Sequence, residues 1–135
     1  GPDEGFVARL RRDANRYSLD LEYFGTVSES EKLELYRECS VFANPAIYEP
    51  FGITLLEAQA FGKPCVITGE GGQEYATQPG WTSLYAKPYP EHFGKAISTL
   101  LDDEDLYHRL SLNAREWASR HIWSKILPIY ERVYS

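Results

Sequence analysis

Apolar side chains recur along the chain at two spacings, and the switches between them mark out its elements. Phe6, Leu10, Ala14 and Tyr17 share one helical face, with Arg9, Arg11, Arg12 and Arg16 on the wet faces, so residues 4–17 are expected to form an amphipathic helix. Leu19 to Phe24 reads as a short strand closed by Gly25. Ser28 with Glu31 three residues later is a capping box that opens a helix through about Cys39. Val41-Phe42-Ala43 reads as a buried strand that stops abruptly at Asn44-Pro45. From about Phe51 the pattern changes. Phe51, Ile53, Leu55, Leu56, Ala58, Ala60 and Phe61 leave almost no polar side, and a helix apolar all round is a buried helix. Gly62-Lys63-Pro64 ends it, and Cys65 to Thr68 is the next buried strand.

Gly69, Gly71 and Gly72 then form a loop, Gln73 to Thr77 a single helical turn, and Ser83 to Ala86 a short strand. Three helical stretches follow. One runs over about 91–101. A second carries Leu106, Leu110, Ala114 and Trp117 on one face. A third runs over about 122–134, with Ile122, Ile126, Ile129 and Val133 in register and a kink expected at Pro128. Helices alternating with short buried strands imply βα units and a mostly parallel sheet. The expected fold class is α/β: Rossmann-like, with helices on both faces of the sheet and extra helices at the C-terminus. Such sheets bind ligands at the carboxyl ends of their strands, here the loops at 25–30, 44–52 and 69–74.

Composition narrows the picture. A length of 135 residues suits one domain. The net charge of −6, without a basic run, argues against nucleic acid or an anionic membrane as the main partner. There is no apolar run long enough to span a bilayer and no signal-peptide pattern. Cys39 and Cys65 are the only cysteines, too few for a disulfide scaffold and without the spacing of a zinc site, so a reduced, cytoplasmic setting is expected. His92, His108 and His121 lie in helical stretches and form no legible Ser/His/Asp set; a solvated or packing role is expected. The absence of Met and the Gly1-Pro2 start suggest a piece of a longer protein.

The stretch from Tyr48 to Glu57 carries the chemistry. A helix beginning near Phe51 leaves its first N–H groups without partners and presents a partial positive charge. Gly52 has no Cβ to block close approach, so this helix start is a seat for an anion, and a diphosphate is a natural occupant. Glu57, among apolar residues in the second turn, needs a partner; a vicinal diol such as a ribose would supply two donors, and a buried Arg or Lys would serve as well. Glu49, in the loop before the helix, is placed to accept from sugar hydroxyls, or is a plain loop charge or helix N-terminal acid.

The string from Phe42 through Glu49, Phe51-Gly52 and Glu57 to Pro64 resembles the E-x7-E signature of the retaining glycosyltransferases of family 4, which have the GT-B fold. Phe24-Gly25-Thr26-Val27 resembles the family's strand-Gly-x-Val element, and Gly71-Gly72-Gln73-Glu74 its Gly-Gly-x-x-Glu loop. Leu101-Asp102-Asp103, Asn113-Ala114-Arg115 and His121-Ile122-Trp123 resemble its C-terminal helices. Essentially the whole chain is covered.

The resemblance implies one half of a GT-B enzyme: the C-terminal domain, which binds the nucleotide-sugar donor. By position, Glu49 is the catalytic residue, touching the donor sugar. Backbone amides of Phe51, Gly52 and Ile53 would meet the sugar, those of Thr54 and Leu55 the diphosphate, and Glu57 the ribose; Val27 and Ser28 would lie near the base. The donor would be a UDP-, GDP- or ADP-sugar, with no cofactor and no obligatory metal. An acceptor sugar or lipid would be bound through an N-terminal domain, and the parent protein is expected in the cytoplasm or at the cytosolic face of a membrane. In this family the donor domain begins with a strand followed by an Arg and a Lys that clamp the diphosphate. No Arg of helix 4–17 stands at the matching place, so this stretch of chain is expected to catalyse no transfer alone. The alternative is a non-catalytic nucleotide-sugar-binding or scaffold subunit that keeps the motif.

Overall fold

A computed structural model of the chain describes residues 4–45, 53–69, 73–78 and 80–134. Contacts divide the chain into two compact units, one up to Lys32 and one from Leu33 on.

In the first unit, α1 spans Glu4–Arg16, with Glu4 in its first turn and Arg16 in its last, each sign matched to the helix dipole. Ser18 closes the turn after it at φ 56°. The strand expected over Leu19–Phe24 does not form: these residues have no regular secondary structure and enter no ladder among the described residues. Leu19, Leu21, Tyr23 and Phe24 are exposed, Leu19 at 65%. Alternating apolar positions make a strand only when a neighbour accepts its backbone and covers one face. The capping box forms as read: the Glu31 N–H donates to Ser28 Oγ at 3.2 Å, and that hydroxyl donates to Glu31 Oε1 at 2.9 Å. It opens α2, Glu29–Glu38, within which the boundary between the units falls.

The second unit holds β1 (Phe42–Asn44), α3 (Ile53–Ala60), β2 (Cys65–Ile67), α4 (Gln73–Ala76), β3 (Ser83–Tyr85), α5 (Pro90–Asp102) and α6 (Glu104–Tyr134). The strands form one parallel sheet in the order β1-β2-β3. Alternation along β2 divides the core. Cys65 and Ile67 pack with Tyr36, Leu55, Leu56 and Ala58 on one face; Val66 packs with Phe93, Leu100 and Leu110 on the other. The apolar α3 is therefore buried, with Leu55, Leu56 and Ala58 fully so. The expected break near Ile122 is absent, and α6 is one helix of 31 residues that runs through Pro128. Asp103 joins the last two helices: its N–H donates to Thr99 O at the end of α5, and its Oδ1 accepts the Leu106 N–H at the start of α6. No helix among the described residues is long and apolar enough to cross a membrane.

Candidate functional site

The parallel register brings Asn44, Ile67 and Tyr85 level at the carboxyl edge of the sheet. Beyond that edge α3 begins, with Ile53 and Thr54 half-buried and Leu55 fully buried. Its first N–H groups have no intrahelical partner and carry the positive end of the helix dipole. Glu57 stands one turn on, half-buried between the fully buried Leu56 and Ala58.

The far end of α3 is fixed. Gly62 takes φ +72°, its N–H donates to Gln59 O at 2.9 Å, and the Lys63 N–H donates to Ala58 O at 3.1 Å, a Schellman cap. Ser111 Oγ of α6 donates to Gly62 O at 2.6 Å, and the Arg115 side chain lies over Gly62. Within α3, the fully buried Gln59 donates from Nε2 to Leu55 O at 2.8 Å and to Ala76 O at 2.7 Å. Trp117 Nε1 of α6 donates to the same Ala76 carbonyl at 2.9 Å. One carbonyl thus ties α3, α4 and α6 together.

The loop after β2 is held by a second buried amide. Gln73 Oε1 accepts the Gly69 N–H at 2.7 Å and the Thr68 hydroxyl at 3.1 Å. Gly69 takes φ +81°, in the left-handed region that favours glycine, and a Cβ there would come within 2.9 Å of Tyr85 Cζ at the end of β3.

Of the residues singled out in the sequence, Ile53, Thr54, Leu55 and Glu57 come together on α3 at the carboxyl edge. Glu49, Phe51 and Gly52 lie outside the described residues. Val27 and Ser28 belong to the first unit; Val27 is half-buried, and the Ser28 hydroxyl is committed to the α2 cap. Sequence reasoning passed over Gln59 and Gln73, the two buried amides that fix α3 and the loop after β2. The available signal was a long polar side chain in an otherwise apolar or glycine-rich stretch. Burial pushes the Cys65 thiol far above its usual range and Cys39 above it too, which disfavours the thiolate at both.

A family profile described as "Glycosyl transferases group 1" matches residues 3–117. The mannosylfructose-phosphate synthase of Agrobacterium fabrum is 36% identical over 115 residues, covering 81% of this chain and 25% of that protein. A Campylobacter jejuni alpha-1,3-N-acetylgalactosaminyltransferase acting on a diphospho-undecaprenol-linked sugar, by its name, is 32% identical over 139 aligned positions, covering 95% and 37%. Among solved structures, the sucrose-phosphate synthase of Thermosynechococcus elongatus superposes with a TM-score of 0.80 at 25% identity, over 99% of this chain and 35% of that one. HepE of Anabaena, solved with UDP-glucose, gives 0.80 at 23% identity, over 98% and 37%. The chain therefore spans about a quarter of the first of these relatives and little more than a third of the others.

Proposed function

The chain belongs to the glycosyl transferases of group 1, and from that premise we propose that it is the donor-binding part of a retaining, family 4 glycosyltransferase that takes a nucleoside-diphosphate sugar. Its α/β layers are one half of the GT-B fold. The observation that carries the proposal is the buried α3, whose amino end opens at the carboxyl edge of the parallel sheet with Glu57 one turn behind it. That end supplies N–H donors and positive dipole to a diphosphate, and a carboxylate at the distance of a ribose. Support comes from HepE, a fold neighbour solved with UDP-glucose.

In this reading the amides of Phe51, Gly52 and Ile53 meet the sugar and those of Thr54 and Leu55 the diphosphate. Glu57 accepts from the ribose diol, and Glu49 from the sugar hydroxyls next to the reacting carbon. The acceptor, a sugar or lipid, is bound by another domain of a longer polypeptide, so the 135-residue chain alone transfers nothing.

The test is calorimetric titration of the longer protein with UDP-, GDP- and ADP-sugars. One donor binds; Glu57→Ala, which removes two charge-assisted hydrogen bonds, weakens it by about 3 kcal/mol, or about a hundredfold. Glu49→Ala abolishes transfer while donor binding remains. Unchanged donor affinity in Glu57→Ala overturns the site. Donor binding without transfer to any acceptor turns the reading into a scaffold subunit.

A further inference from the structure

The chain leaves β2 through a turn at Thr68 and Gly69 whose shape is imposed from outside. Gln73, fully buried at the start of α4, reaches back to it, its Oε1 accepting both the Gly69 N–H and the Thr68 hydroxyl. The Tyr85 ring, at the end of β3, occupies the space that a Gly69 side chain would take. Glycine has no side chain to hold φ +81°, so these neighbours supply the constraint. The hydrogen bonds lead back to α3. Gln73 opens α4, Ala76 closes it, and the Ala76 carbonyl accepts from the buried Gln59 of α3. The amino end of α3 lies close to the turn: Ile53, its first residue, packs against the same apolar cluster as Ile67, the last residue of β2. Helix, α4 and turn are thus joined by buried hydrogen bonds around the candidate donor seat.

An apolar side chain of the same length would fill the place of Gln73 without burying an amide that needs partners. What the amide adds is one fixed backbone conformation where the sheet meets the start of α3. A ligand that meets an ordered turn is spared the entropy of ordering it. Given the donor-binding reading of α3, on which this rests, we propose that Gln73 is a positioning residue for the nucleoside-diphosphate sugar. It holds Thr68 and Gly69 so that the donor meets a preformed seat, and it acts through them rather than on the reacting atoms.

The test is calorimetric titration of the longer protein with UDP-, GDP- and ADP-glucose. Gln73→Met, which keeps the length and loses the acceptor, weakens binding about tenfold. Thr68→Val removes one of the two bonds with little change of volume and weakens it about threefold. In the Gln73→Met background, Thr68→Val adds nothing, because the bond is already gone. Leu100→Val, in the core on the opposite face of the sheet, lowers Tm and leaves donor affinity as it was. Unchanged affinity in Gln73→Met overturns this inference alone, as does unchanged affinity in Thr68→Val where Gln73→Met fails to fold. Additive effects of the two substitutions overturn it too, and so does equal weakening by Leu100→Val, which would be a general loss of stability. Absence of binding, or binding that Glu57→Ala leaves unchanged, overturns the donor seat itself and this role with it.

Discussion

Gly62→Ala probes the junction that fixes the far end of α3. At φ +72° a side chain sits in the left-handed region, which costs about 1–2 kcal/mol for an L-residue. The added Cβ would also come within 3.1 Å of Arg115 Cζ and 3.2 Å of Arg115 Cδ, and closer still to Nε. The arginine must swing away, losing its packing and its place at the carboxyl end of a helix, worth about 0.5–1 kcal/mol. The expected total is about 1.5–3 kcal/mol, a fall in Tm of about 5–10 °C for a chain of this size. Urea unfolding followed by circular dichroism measures it, with an unchanged m-value as the check that only stability moved. The two parts separate in an Arg115→Ala background, where Gly62→Ala should cost only the backbone part, about 1–2 kcal/mol. Equal costs in both backgrounds would refute the contact with Arg115. A cost below about 0.5 kcal/mol in either would refute the backbone argument.

Trp117→Phe removes one of the two donors to Ala76 O and should cost about 1–2 kcal/mol in urea unfolding, because Gln59 still satisfies that carbonyl. Gln59→Ala leaves a cavity as well and should cost more, about 2–4 kcal/mol by the same assay. Burial raises the Cys65 thiol above its ordinary 9.0, so the folded chain holds a proton that the unfolded chain releases. The stability this contributes is complete below the unfolded pKa and is lost as pH rises above it. Denaturation against pH should therefore show the gap between the unsubstituted chain and Cys65→Ala narrowing from about pH 8 to 10. Ser28→Ala should cost about 0.5–1 kcal/mol, read as faster amide exchange in the first turn of α2, and Ser28→Asp should retain protection.

Much of this was legible in the sequence because the rules involved are local. The Ser28–Glu31 cap, the stop at Gly62 and the all-apolar α3 each follow from residues within one or two turns of one another. Leu19–Phe24 was misread for the opposite reason: its alternation is local, but a strand needs a partner distant in sequence. The break expected near Ile122, absent from the structure, has a similar cause, since local periodicity does not say where one helix stops and the next begins. The helix that carries the candidate residues Ile53 to Glu57 was legible because a helix start after a strand is a local signal. The roles of Gln59 and Gln73 were hidden because their acceptors and donors come from other elements: Ala76 lies 17 residues after Gln59.

The exposed run at Leu19, Leu21, Tyr23 and Phe24 bears on how the chain behaves in concentrated solution. Apolar side chains on a backbone outside any ladder offer a template for pairing between molecules. At neutral pH the net charge of −6 sets a repulsive barrier between approaching copies. That barrier vanishes near the isoelectric point of about 5.1. Colloidal stability is therefore governed by pH and salt rather than by the folded core. The chain is best handled well above pH 5 and at low ionic strength, and a single glutamate placed among these four residues would guard against fibrous association while adding to the same charge.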